Sequence, residues 1–264
     1  TEEPVEKKSI QRKEARPLPQ KEHTGLLQVS NETDYTFDKD ALLSEPLVTY
    51  GGDGVKVLIM HTHTSEAYTQ TDEYNYAETD SYRTTDETMN VVAVGEVIAE
   101  KLRSEGVGVI HDKTAHDSPE YAGSYRRALE TIKKNIQENP SIDIVLDIHR
   151  DAISDGNGGF YKTVADINSE NIAQCMVIVG TNRKGLEHEN FKENIKYGLR
   201  LQNIINEKYP SLARPLNIRA ERFNGNAREG AMIIEIGSNG NTLEEALKCG
   251  EYVGECVAEL IKAD

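Results

Sequence analysis

Short, dense apolar runs alternate along this chain with stretches in which apolar residues recur at helical spacing. Residues 55–60 form one such run behind Gly51-Gly52-Asp53-Gly54, the pattern of a strand buried on both faces and bounded by turn residues. Residues 88–105 place Val91, Val94, Ile98 and Leu102 on one face with charges opposite and Gly106 at the stop, which predicts a helix. Residues 107–110 predict a second strand and residues 121–139 a helix ended by Pro140. Strands are predicted at 142–148, 175–180 and 231–236, and a long helix at 191–209, stopped before Pro210. A closing helix spans 242–262, where Thr242 and Glu245 form a capping box. This near-regular alternation predicts an α/β fold of three layers, helices covering both faces of a mostly parallel central sheet. No internal repeat is visible.

Two stretches break the pattern. Residues 1–48 read as a polar, largely flexible tether before a domain at 49–264. Thr1 to Glu22 has almost nothing to bury, and only scattered apolar residues after it could dock on the domain. Residues 67–82, rich in Tyr, Thr, Asp and Glu, read as a long exposed loop.

Composition then narrows the partners. The 264 residues carry a formal net charge of −15, which disfavours nucleic acid or anionic lipid as the main partner, since both are negative. No apolar run approaches the roughly 18 residues needed to span a bilayer. The chain opens on threonine with no signal peptide, so an upstream membrane anchor is the expectation. Cys175, Cys249 and Cys256 cannot all pair internally. Cys249 and Cys256 stand about 10 Å apart along the closing helix, too far for a disulfide.

Candidate chemistry gathers at three strand ends, where open α/β sheets bind ligands. The first strand leads into His61-Thr62-His63-Thr64-Ser65-Glu66, the third into Asp147-Ile148-His149-Arg150-Asp151, and the last into Glu235-Ile236-Gly237-Ser238-Asn239. Two histidines and a carboxylate around an open position make a catalytic zinc site, and a second carboxylate can serve as general base. His63 and His149 are the preferred nitrogen ligands and Glu235 the preferred base. His61 rivals His63, because strand alternation puts both on one side if the strand continues, so a turn must decide. Each residue also has a purely structural reading: a hydrogen-bonded core histidine, or a glutamate capping a helix or pairing with arginine.

The blocks from His61 to Tyr68, Arg83-Thr84-Thr85-Asp86 with Asn90 to Gly95, Asp147 to Asp151, and Glu235 to Asn241 resemble the stage II sporulation protein P family over about residues 50–264. That family is similar to zinc N-acetylmuramoyl-L-alanine amidases. The resemblance implies an amidase-like fold and a metal-binding peptidoglycan hydrolase acting in forespore engulfment during sporulation. It implies Zn²⁺, and an endopeptidase activity on stem-peptide crosslinks beside the amidase. Mapped here, the amidase pattern becomes His63, Asp86, His149 and the catalytic Glu235. Amidases usually have glutamate where Asp86 stands, and Glu66 offers the alternative acidic ligand, so both remain candidates. Asp86 can equally cap the helix at 88, with Thr84 and Glu87 as a capping box.

In the mechanism this implies, zinc on His63, His149 and one carboxylate binds a water, and Glu235 shuttles its proton to the leaving amine. Arg150 is expected either to stabilise the oxyanion, to grip a stem-peptide carboxylate, or to pair with Asp147 or Asp151. Tyr68, Tyr74, Tyr76 and Tyr82 would line a glycan groove or lie in a solvated loop. The resemblance further implies an extracytoplasmic protein anchored to the cell membrane at the forespore septum, with stage II sporulation proteins D and M as partners. The competing readings are a zinc peptidase confined to stem peptides and a non-catalytic assembly module.

Overall fold

The computed structural model describes residues 15–19 and 27–263. In chain order the elements are β1 (Arg16–Pro17), β2 (Val29–Asn31), α1 (Lys39–Ser44), β3 (Val55–Met60), α2 (Val91–Ser104), β4 (Gly108–His111), α3 (Ser124–Glu138) and β5 (Ile144–Asp151). There follow β6 (Tyr161–Lys162), β7 (Val164–Ile167), β8 (Glu170–Ala173), β9 (Cys175–Gly180), α4 (Phe191–Lys208), β10 (Leu216–Arg219), a 3₁₀ turn (Gly225–Ala227), β11 (Gly230–Ser238) and α5 (Leu243–Lys262).

Seven strands form the central sheet in the order β2-β10-β9-β11-β5-β3-β4. Every neighbouring pair is parallel except β11 with β9. Strand alternation divides the core between the two faces. Ile144, Leu146 and Ile148 of β5 join the larger cluster with Ile98 of α2, Ile195 of α4 and Val253 of α5. On the opposite face Leu58, Met60, Val145 and Ala231 pack with Ala128 and Ile132 of α3. The fold is therefore three-layered α/β with a mostly parallel sheet. Each fully buried aliphatic side chain contributes about 1.5–3 kcal/mol relative to exposure, so the sheet's continuous apolar runs need cover on both faces.

Most predicted boundaries lie within three residues of the observed ones. The start of helix α2, three residues later than expected, is instructive. The helix starts at Val91, capped by Asn90, whose side chain accepts from the Val92 amide. Asp86 instead accepts from both the backbone and the hydroxyl of Thr88, a local turn that competes with helix formation. The capping box of α5 forms as the sequence predicts.

Part of the expected tether belongs to the domain. β2 pairs with β10, and Leu42 and Leu47 are buried in the larger core cluster. Residues 1–14 and 20–26 of that tether lie outside the described residues. The hairpin β7–β8 and strand β10 are short and carry polar positions, so no apolar run announced them. Among the described residues no helix is long and apolar enough to cross a membrane.

Candidate active site

Strand β3 ends at Met60, and the turn that follows sorts the two histidines. His61 lies on the α2 side, its Nδ1 3.0 Å from the Ile148 carbonyl oxygen and its Nε2 2.9 Å from His111 Nε2. Gly95 of α2 makes room for this pair, since a Cβ there would sit 2.7 Å from His61 Nε2. Thr62 turns to the α3 side and donates to both oxygens of Asp147, through its amide at 2.7 Å and its hydroxyl at 2.6 Å. Buried Asp117 then accepts from the hydroxyls of Thr64 (2.7 Å) and Ser65 (2.6 Å) and from the Ser65 amide, closing the turn. His63 is left facing His149, with ring centres 5.3 Å apart and planes at 88°.

On β5, alternation puts Asp147 and His149 on the same face as Val145, toward α3. The β11–β5 register sets Ile233 opposite Asp147 and Glu235 opposite His149. His149 lies between two carboxylates: Asp147 Oδ1 is 2.9 Å from Nε2 and Glu66 Oε2 3.3 Å from Nδ1. The Asp147 contact falls outside hydrogen-bond geometry. His149 Nε2, His63 Nδ1 and Glu235 Oε2 are thus all buried polar atoms without a hydrogen-bond partner.

The electrostatics follow from these positions. Burial opposes a charge on His149, but Asp147 and Glu66 outweigh it and hold the imidazole well above its usual range. Burial would raise the Glu66 carboxyl, yet the hydrogen bond and charge of His149, with Arg150, hold it at about 2. His63 is lowered to about 4 by burial and by His149. Burial pushes Glu235 up to about 8 against the pull of His149. The site therefore holds one firmly ionised carboxylate, Glu66, and one carboxyl, Glu235, that burial drives toward its protonated form.

Aromatic residues of the loop before α3 and of α3 itself roof the site. Tyr121 stacks on His63 at 4.5 Å between ring centres, with its hydroxyl 3.1 Å from Nε2, and Tyr125 meets the same imidazole edge-on at 5.5 Å. The Arg83 guanidinium lies 4.9 Å from the Tyr121 ring centre. It donates to Ser65 Oγ and Asp117 Oδ2, each at 2.9 Å, and reaches Glu66 Oε1 at 3.4 Å.

Of the candidates read from sequence, His63, Glu66, His149 and Glu235 come together. The rest are redirected. His61 faces α2, in phase with Val57 and Ile59 of β3, and the turn after Met60 takes His63 off that face. Asp86 is exposed and its carboxylate is engaged by Thr88. Arg150 is buried and staples the 66–82 segment, donating from Nε to the Ala67 carbonyl (2.7 Å) and from Nη2 to the Tyr82 carbonyl (3.0 Å). Its Nη1 reaches the Asp151 carbonyl at 3.4 Å, and among the described residues it forms no ion pair with either Asp147 or Asp151.

The tyrosine loop is an anchored segment rather than an aromatic groove: Tyr68, Tyr76 and Tyr82 are buried and Tyr74 half-buried. Tyr68 donates to the Ile236 carbonyl, and Tyr76 to the Tyr68 carbonyl. The Gly237-to-Asn241 block is likewise structural. Asn241 Oδ1 accepts from the amides of Ser238 and Thr163, and Gly237 turns the chain at a φ of 66° where a side chain would strain. Arg83, Asp117 and Tyr121 were not singled out as site residues in the sequence. Asp147 was legible in principle, two residues before His149 on the same strand.

His63, His149 and Glu66 are donor types that suit zinc, and the buried His63 Nδ1 has no hydrogen-bond partner. Among the described residues, no three His, Cys, Asp or Glu side chains already converge as a metal cage. Fold and site together define an α/β protein whose acid–base cluster sits at the carboxyl ends of neighbouring parallel strands.

This chain belongs to the stage II sporulation protein P (SpoIIP) family, which matches residues 1–258. Stage II sporulation protein P of Bacillus subtilis (strain 168) is 27% identical over 220 residues, 79% of this chain and 52% of that relative. The chain thus spans about half the length of the curated relative it matches. Among solved structures, the catalytic domain of the CD27L endolysin targeting Clostridia difficile is 16% identical, with a TM-score of 0.46, covering 80% of this chain and 98% of its own. The catalytic domain of CwlV, an N-acetylmuramoyl-L-alanine amidase from Bacillus (Paenibacillus) polymyxa var. colistinus, is 11% identical with a TM-score of 0.43, over 79% and 97%.

Proposed function

We propose that this chain is a peptidoglycan hydrolase of sporulation, a zinc-dependent N-acetylmuramoyl-L-alanine amidase that cuts between the lactyl group and L-alanine. The observation that carries the reading is the register pairing of Glu235 with His149, beside His63 and Glu66, in a buried site with unpartnered polar atoms. His63, His149 and Glu66 would hold the metal. Zinc, when bound, supplies a Lewis acid for the scissile carbonyl and for the attacking water.

The chain's own residues do the rest. Glu235 takes a proton from the attacking water and returns it to the leaving amide nitrogen, and the burial that favours its protonated form favours the uptake of that proton. Asp147, itself fixed by Thr62, places a carboxylate 2.9 Å from His149 Nε2 and adds negative charge beside the imidazole. Arg83 holds Glu66 and the Tyr121 roof in place. Family membership supports action at the engulfing membrane, with stage II sporulation proteins D and M as partners and an accompanying stem-peptide endopeptidase activity.

The test combines elemental analysis for zinc with digestion of purified sacculi by the wild type, His149→Ala and Glu235→Ala. About one zinc per chain in the wild type, its loss in His149→Ala, and zinc without cleavage in Glu235→Ala are expected. New amino termini on L-alanine identify the amidase bond, whereas termini within the peptide would identify a peptidase instead. A wild type that cleaves with no zinc would sink the metal mechanism.

A further inference from the structure

Beneath the site, a narrow recess under Asp147 is walled partly by Arg222, Phe223 and Asn224. The same three residues form one side of an open groove of about 440 Å³, whose other side is Tyr125, Arg126 and Leu129 of α3. Tyr125 joins the groove to the site: it meets His63 at 5.5 Å and packs on Phe223 at 5.7 Å. Leu186 also lines the groove, at 55% exposure, and Tyr121, 57% exposed, stacks on His63 beside Tyr125. Such a volume, apolar with a few polar groups, is of ligand-binding size.

The charges in the groove are uneven. Lys184 is held by Glu221 at 2.6 Å and Arg126 by Glu130 at 3.4 Å. Of the three cations lining this groove, Arg222 alone has no carboxylate partner among the described residues. Its Nη1 donates to the Glu187 carbonyl at 3.1 Å, and its Nε is buried with no hydrogen-bond partner. Next to it Phe223 adopts a φ of 51°, a left-handed conformation costly for an aromatic residue. Its ring packs on Tyr125, next to Arg222 in the groove wall.

We propose that this groove binds the peptide portion of the substrate, with Arg222 engaging a peptide carboxylate and the apolar walls taking aliphatic side chains. The proposal rests on the peptidoglycan reading above. Charge complementarity selects the occupant: stem peptides carry free carboxylates on aliphatic residues, which a guanidinium recognises through charge-assisted hydrogen bonds. Neutral sugar rings would offer Arg222 no counter-charge.

The experiment titrates the full chain with the synthetic tripeptide L-Ala-γ-D-Glu-meso-diaminopimelate, and with its form in which every carboxylate is amidated, by calorimetry. Wild type is expected to bind the free acid more tightly than the amide. Arg222→Gln weakens the free acid by about tenfold or more, the loss of a hydrogen bond to a charged group, and leaves the amide unchanged. Arg222→Lys recovers part of the affinity, and Lys184→Gln changes little. Equal affinities for acid and amide in the wild type overturn the proposal even if a variant fails to fold, as does an unaltered free-acid affinity in folded Arg222→Gln. Sacculus digestion by the wild type is read separately: peptide binding without digestion would count against the hydrolase reading, and digestion without an acid preference only against the role of Arg222.

Discussion

Glu235 on β11 and His149 on β5 are register partners on adjacent parallel strands, both on the face toward α3. That pairing fixes a buried carboxyl beside the imidazole without any loop to hold it, so the two move as one rigid unit. Replacing Glu235 with Gln keeps the volume and removes the proton carrier. Cleavage of sacculi by Glu235→Gln is expected to fall by about 10²–10⁴-fold, the usual contribution of general acid–base catalysis, with zinc content unchanged. Undiminished cleavage would remove Glu235 from the proton transfer.

Glu66 and Asp86, the two candidate acidic ligands, occupy very different surroundings. Glu66 is buried against His149, whereas Asp86 is exposed on a turn. Glu66→Gln is expected to lower zinc affinity at least tenfold in competition with a chromophoric chelator. Asp86→Asn should keep wild-type affinity and shift stability by no more than about 0.5 kcal/mol, as exposed substitutions do. The reverse ranking would return Asp86 to the ligand set.

The His61–His111 contact depends on Gly95. A methyl group at that position meets two imidazole rings at 2.7–2.8 Å, and both rings are held by hydrogen bonds. Gly95→Ala should therefore lose about 1–3 kcal/mol of stability in urea titration, as overpacked cores do, despite the higher helix propensity of alanine. A stabilised variant would show that α2 can shift away from β3.

His188 supplies a pH-dependent term remote from the metal donors. Burial, with Arg222 nearby, pushes its imidazole down to about 4, below the 6.5 of an exposed histidine. Between those values the unfolded chain takes up a proton that the folded chain refuses. Its stabilising contribution is complete above about pH 6.5 and is lost as the pH falls toward 4. Urea midpoints should consequently drop less between pH 7 and pH 5 in His188→Gln than in wild type. Parallel pH dependences would show that His188 protonates freely in the folded state.

The amino-acid sequence by itself determined the layered α/β architecture, because continuous apolar runs and helical-period stretches have few other ways to bury their surfaces. It also marked the strand ends at which His63, His149 and Glu235 stand. Strand Cys175–Gly180 and the capped start of α5 were legible almost to the residue, since local patterning and capping chemistry specify both.

Only the tertiary structure decided which polar residues meet. That His63 rather than His61 faces His149 depends on a turn closed by Asp117, more than fifty residues away in sequence. The hydrogen bonds of Arg150 go to the carbonyls of Ala67 and Tyr82, partners supplied by a distant segment that the residues around Arg150 do not reveal. The tyrosines of that segment turned inward because the same staple draws the loop onto the core. Strand order and register place Glu235 beside His149, and neither is written in the local pattern of either strand: hydrophobic alternation states which face a residue takes, not which neighbour it finds there.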